Sequence, residues 1–208
     1  MDQGKLSFVT CSSGSIFDIT HRFPYRSGKG TLCEKLVEHA HLRHYSSGEM
    51  LRDEIASGSP LAKSIEQTMK RGELVSSSTI IALIKKQLRR FPGSLIALDG
   101  FPRNKSNYLD FDEVLGTPEF AIVVDVPDEE MISRIMKRAE TSGRADDNLE
   151  TAKLRLKTFH EQTEPTLEQL KLNNVPIYRL DGTQTPDEIW NELTKICPQI
   201  GTRVNKTF

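Results

Sequence analysis

The chain has 208 residues, 37% hydrophobic and 27% charged, with a formal net charge of -1. That length suits one domain with a sizeable core, and so even a charge balance argues against bulk nucleic-acid binding. With no run of eighteen apolar residues and a poor secretory signal in "MDQGKLSFVTCSSG", no membrane span is predicted and a cytoplasmic setting is expected.

Two segments compete for the first strand, "KLSFVT" and "SIFDIT", and the first is favoured. It leaves an unusually long connection before Lys29. "TLCEKLVEHA" reads as a helix, and "LVEHAHLRHYSSGE" as its end, a short strand and a turn. His39, His41 and His44, close in sequence, offer a metal-binding cluster or, the favoured reading, part of a solvated helix end. Pro60 opens a helical segment with Leu61, Ile65 and Met69 in register, followed by a stripe of Ile80, Ile81, Ile84 and Leu88.

Three apolar runs follow: "LIALDG" at 95–100, "FAIVVDV" at 120–126 and "VPIYRLDG" at 175–182. Such runs predict strands covered on both faces, as in a parallel sheet, and Pro176 places the last near an edge. Pro127 opens a helix with Asp128, Glu129 and Glu130 at its positive end. "AETSGRADDNL" at 139–149 is a charged, breaker-rich stretch between two helices. Ala152, Leu156, Phe159, Thr163, Leu167 and Leu170 trace one face of a long helix, and Pro186 starts the last, with Ile189, Leu193 and Ile196. The alternation of strand and helix predicts an open α/β sheet.

Small residues in "SGKGT", 27–31, let backbone N–H groups converge on phosphate oxygens at a helix start, with Lys29 adding charge and Thr31 a hydroxyl. Alone, this short match also suits a solvated turn. Asp99, ending a strand, can hold a water on magnesium, or can simply belong to an Asp-Gly turn. Arg52, Arg103, Arg134, Arg138, Arg144 and Arg155 are each compatible with surface charge. Together they suit transfer between two phosphate-bearing substrates, because guanidinium groups hold planar oxygen pairs. Cys11, Cys33 and Cys197 show neither a metal spacing nor a disulfide framework.

The ordered set "SGKGTLCEKL", "SSGEMLRDEIASGS", "GELVSSSTI", "IALDGFPRN", "MKRAETSGRADDN" and "RLKTFHEQTEPTL" resembles the nucleoside monophosphate kinases, over about 27–197, in their short-lid form. The resemblance implies an α/β, three-layer P-loop nucleotide kinase fold with a five-stranded parallel sheet. Within a single domain, 1–208, it implies a helical monophosphate-binding insert at 48–78 and a short lid at 139–149, with 10–26 an atypical segment. Ser27, Gly28, Lys29, Gly30 and Thr31 would hold the phosphates of ATP, and Thr31 and Asp99 would support Mg2+. Ser47, Arg52, Val75, Gly100 and Arg103 would contact the acceptor. Arg134 would lie near the donor adenine, and Arg138, Arg144 and Arg155 around the transferred phosphoryl group. Asp146 and Asp147 would tie the closed lid. The implied partners are ATP, ADP and nucleoside mono- and diphosphates, with no nucleic-acid polymer and no membrane; a monomer is implied.

For the acceptor, Asn104 and Asn107 in "FPRNKSN" resemble the UMP-CMP kinase pattern, where adenylate kinases usually carry a glutamine at the later position. Asn104 also suits a helix cap. Ser47 lies between the alanine of one group and the threonine of the other, and the lid phrase resembles short adenylate kinases. The expected acceptor is UMP or CMP; the alternatives are AMP, or a weakly active nucleotide-binding protein. The last arises because "FPYRSGKGT" stands where "GGPGSGKGT" is usual: Phe23, Pro24 and Arg26 replace glycines and Tyr25 a proline. Segment 10–26 is either misread coding sequence or a real, atypical loop, and in the second case weaker donor binding is expected.

Overall fold

The computed structural model describes residues 7–9, 29–90, 96–142, 148–198 and 200–201. Segment 10–26, Ser27, Gly28, Arg144, Asp146 and Asp147 lie outside the described residues. For Lys29, Gly30, Arg138 and Arg155 the description is of the backbone.

The described chain is α/β and rich in helix. Its strands are short: β1 Ser7–Val9, β2 Arg43–Ser46, β3 Ile96–Asp99, β4 Ala121–Asp125 and β5 Ile177–Asp181. All pairings are parallel, in the order β2-β3-β1-β4-β5. β1 lies at the centre, with Phe8 opposite Leu98 on one side and Ala121 on the other. This places "KLSFVT", the favoured segment, as the first strand. β5 is an edge, as Pro176 predicts.

Between the strands run α1 Lys29–Ala40, α2 Ser47–Ala56, α3 Ala62–Lys70, α4 Ser77–Arg90, α5 Lys105–Leu115, α6 Asp128–Ser142, α7 Leu149–Thr158, α8 Glu164–Leu172 and α9 Pro186–Ile196. Where the sequence predicts a turn after β2, α2 starts directly at Ser47. α6 runs through Ser142, so the helix takes in the first residues of the breaker-rich stretch. α9 opens on a capping box: Thr185 Oγ1 accepts from the Glu188 N–H, while the Glu188 carboxylate accepts from the Thr185 N–H.

Alternation along the strands sorts the core into two faces. Ala97, Ile122, Val124 and Leu180 pack with Leu32 and Leu36 of α1, Met131 and Ile135 of α6, Leu156 of α7 and Ile189 and Leu193 of α9. Ile96, Leu98, Ala121 and Val123 pack with Met50 of α2, Ile65 of α3, Ile80, Ile81 and Ile84 of α4, Phe111 of α5 and Leu167 and Leu170 of α8. Leu61, expected in the stripe of α3, is exposed instead.

The long helix expected over 152–170 is interrupted. Phe159–Thr163 forms a π turn, with the Glu164 N–H bonded to the Phe159 carbonyl. Pro165 lacks an N–H, and in α geometry its ring would press on the Glu161 carbonyl; widening the preceding turn relieves both. The interruption divides the predicted stripe. Ala152, Leu156 and Phe159 join the first face, Leu167 and Leu170 the second.

Candidate active site

Ligands of parallel α/β sheets gather beyond the carboxyl ends of the strands. There β3 ends in Asp99, whose side chain is fully buried. The next residue, Gly100, has φ +72°, a left-handed angle that a side chain would strain. A cis Phe101–Pro102 bond follows, leading to Arg103.

The Gly100 carbonyl accepts two hydrogen bonds, from Ser47 Oγ at 2.9 Å and from Arg103 Nε at 2.7 Å. The first joins the start of α2 to the end of β3; the second sets the plane of the Arg103 guanidinium. The Arg103 N–H donates to Asn107 Oδ1 at 3.3 Å, and Thr163 Oγ1 donates to the Arg103 carbonyl at 2.6 Å. Asn107 Nδ2 donates to Ser77 Oγ at 2.7 Å, tying α5 to the start of α4. Asn104 caps α5, its Oδ1 accepting from the Asn107 N–H at 2.8 Å.

Beside this network lies a cleft of about 370 Å³ lined by Val75, Ser77, Asn104, Ser106, Asn107 and Asp110. On α2, the Arg52 guanidinium folds back across Gly48, so a Cβ at Gly48 would lie 3.2 Å from Arg52 Nη2. Ser47, Arg52, Val75, Gly100, Arg103, Asn104 and Asn107 therefore belong to one connected region on the second face.

Asp99 also faces His44 of β2, with Nε2 3.5 Å from Oδ2. Burial works to lower the pKa of His44, but Cys33 and Asp99 outweigh it, and the pKa is raised. His44 thus turns inward, in contrast to the solvated helix end expected for it.

On the first face, α1 begins at Lys29, so Lys29, Gly30 and the half-buried Thr31 occupy its first turn, at the positive end of the helix. Arg134 of α6 donates from Nε to Glu130 Oε1 at 2.9 Å and from Nη1 to the Gly182 carbonyl at 3.0 Å. Gly182 follows β5, and its N–H donates to the Asp125 carbonyl at 2.7 Å. A Cβ there would lie 2.5 Å from Val126 Cγ2 and 2.9 Å from the Asp125 carbonyl oxygen, which explains the glycine. Arg138 lies one turn beyond Arg134 on α6, and Arg155 lies on α7.

Sequence reasoning missed Ser77, Thr163, Cys33 and His44 as parts of this region. Ser77 falls inside the quoted "GELVSSSTI", but nothing in its spacing singles it out from its serine neighbours. The other three meet the site through tertiary contacts alone.

Residues 24–175 match the family model for adenylate kinase. Adenylate kinase 1 of Schistosoma mansoni is 38% identical over 179 residues, covering 85% of this chain and 90% of that protein. The adenylate kinase of Thermus thermophilus is 38% identical over 171 residues, covering 80% and 89%. Human adenylate kinase isoenzyme 1 is 40% identical over 145 residues, covering 68% and 74%.

Proposed function

The chain belongs to the adenylate kinase family, and from that premise we propose that it transfers the γ-phosphoryl group of ATP to AMP, reversibly, giving two ADP. The observation that carries the reading is the Gly100 carbonyl gripped by both Ser47 and Arg103. It couples the helix bearing Arg52 to the loop bearing Arg103, so two guanidinium groups are held on one rigid region beside a cleft.

This acceptor replaces the expected UMP or CMP. Asn104 is committed as a helix cap, and Asn107 bonds the Arg103 N–H and Ser77. The pattern that resembled a pyrimidine site thus has a structural purpose of its own. Both asparagines still line the cleft, which keeps UMP and CMP as the second reading.

In the proposed reaction an anionic oxygen of the acceptor phosphate attacks the γ-phosphorus. The bond to the β–γ bridging oxygen breaks, and ADP leaves with that electron pair. The nucleophile is already ionised, so no general base is required; positioning and charge cancellation carry the rate. Arg52 and Arg103 hold the acceptor phosphate. Lys29 and the first N–H groups of α1, with Ser27 and Gly28 before them, hold the donor phosphates. Arg134 lies beside the donor base, and Arg138, Arg144 and Arg155 offset charge on the transferred group. The Thr31 hydroxyl and the Asp99 carboxylate are hard oxygen donors of the kind Mg2+ takes, the carboxylate through water. Magnesium held there with ATP would supply charge neutralisation to the phosphates during transfer.

The finer architecture belongs to the same proposal: a three-layer P-loop kinase fold with a five-stranded parallel sheet, 48–78 as the acceptor clamp and 139–149 as a short lid that excludes water on closing. No helix among the described residues is long and apolar enough to cross a membrane; a monomeric, cytoplasmic enzyme is proposed.

A coupled assay with ATP and Mg2+ against AMP, CMP and UMP tests the acceptor. AMP should give the highest kcat/KM, with little ATP hydrolysis when no acceptor is present. A higher kcat/KM for CMP or UMP would reject AMP, and nucleotide binding without transfer would favour a weakly active binding protein.

A further inference from the structure

Cys33 Sγ, a His44 imidazole nitrogen and an Asp99 carboxylate oxygen all lie within 4.8 Å of one another. They come from three elements, the interior of α1, the strand β2 and the end of β3. Cys33 is 1% exposed and Asp99 0%, while the His44 side chain is 20% exposed. We propose that these three side chains form a binding site for a thiophilic divalent cation of the zinc class, chemically distinct from the magnesium carried by the nucleotide.

The donor set supports the assignment. Zinc takes sulfur, imidazole nitrogen and carboxylate oxygen together, and three protein ligands with a water in the fourth position form a common tetrahedral site. Tetrahedral zinc sets neighbouring donors about 3.3–3.7 Å apart. His44 Nε2 and Asp99 Oδ2 already stand 3.5 Å apart. The remaining ligand pairs reach coordination distance by closing at most about 1.5 Å from the 4.8 Å limit.

Charge and softness agree with the geometry. Coordination displaces two protons, one from the Cys33 thiol and one from the His44 imidazolium, so a divalent ion with one thiolate, one carboxylate and a neutral imidazole carries no net charge into the interior. Sulfur and imidazole select zinc-like ions over Mg2+, which prefers oxygen and retains its waters. One consequence rests on the proposed phosphoryl transfer. An ion bound here takes the Asp99 carboxylate away from the water on magnesium, so occupancy inhibits the enzyme.

Full-length protein, stripped with a chelator, would be titrated with Co2+ and then with Zn2+. The expected result is one Co2+ per chain with a near-ultraviolet sulfur-to-cobalt charge-transfer band that Zn2+ displaces. Cys33→Ala should abolish the band and weaken Zn2+ binding at least tenfold, while Cys11→Ala and Cys197→Ala preserve both. If circular dichroism shows Cys33→Ala unfolded, His44→Gln carries the test, with the band retained and Zn2+ affinity lowered at least tenfold. Absence of the band, its survival in folded Cys33→Ala, or its loss in Cys11→Ala would overturn the site. Phosphoryl transfer by the parent should fall on Zn2+ binding, and Cys33→Ala should resist that inhibition. Unchanged transfer at full occupancy would overturn the inhibitory consequence and leave the site standing. The cobalt band reports the site whichever acceptor the enzyme uses.

Discussion

The face that carries α1, α6, α7 and α9 is closed chiefly by apolar side chains, from Leu32 and Leu36 to Ile189 and Leu193. The opposite face has a comparable apolar core but adds a chain of hydrogen bonds through Ser47, Gly100, Arg103, Asn107, Ser77 and Thr163. Apolar burial is non-directional and holds elements together without setting individual atoms. Hydrogen bonds fix distances and angles. The second face therefore positions a guanidinium as well as closing a core, as the proposed acceptor-phosphate site requires.

Removing the positioned group should have the largest effect. Arg103→Ala is expected to lower kcat/KM by about 10²- to 10³-fold, the usual loss of a preorganised charge donor. Arg103→Lys should fail to restore the rate, because an ammonium lacks the planar fork. Steady-state kinetics on folded protein would check this; near-parental rates for the alanine variant would mean that the network serves stability alone.

The first face should instead respond through packing. Gly182→Val places a Cβ 2.5 Å from Val126 Cγ2 and 2.7 Å from Val124 Cγ1. Such overpacking should cost about 1–3 kcal/mol, read as a lower urea midpoint. An unchanged midpoint would show that the ends of β4 and β5 yield more easily than the contacts imply.

The smallest effect concerns a contact that spans both faces. His160, on the π turn, reaches Glu164 of α8 at 3.2 Å and Asp128 of α6 at 3.0 Å. The bond to Glu164, against an opposing effect of burial and with help from Asp128, raises its pKa. A raised folded pKa means that the stabilisation is full below the unfolded value, about 6.5, and is lost as pH rises through the folded value. The group is exposed, so no more than about 1 kcal/mol is expected. His160→Gln should lower the Tm at about pH 5.5 and leave it nearly unchanged at about pH 9, well above the ordinary histidine range. An equal loss at both pH values would exclude the charged pair as the cause.

Much of the fold was legible in local pattern. The apolar runs before Asp99, Asp125 and Asp181 became β3, β4 and β5, and Pro127 and Pro186 each marked a helix start. The stripe Ile80, Ile81 and Ile84 is buried as its spacing predicts. Single side chains were less legible. Asn107 reads as part of an acceptor pattern, and its spacing gives no sign that its Nδ2 donates to Ser77, thirty residues away. The π turn escaped because the six stripe residues are all buried, though against two different faces.

Chain order alone determined that this protein alternates strand and helix, that a lysine-bearing glycine motif opens α1, and that Asp99 and Gly100 end an apolar strand. Periodicity and backbone preference act over a few residues, so these features need no distant partner. Tertiary structure alone decided the convergence of Cys33, His44 and Asp99, the central position of β1 and the double grip on the Gly100 carbonyl. Each depends on residues far apart along the chain, and only the parallel sheet with its packed helices brings them together.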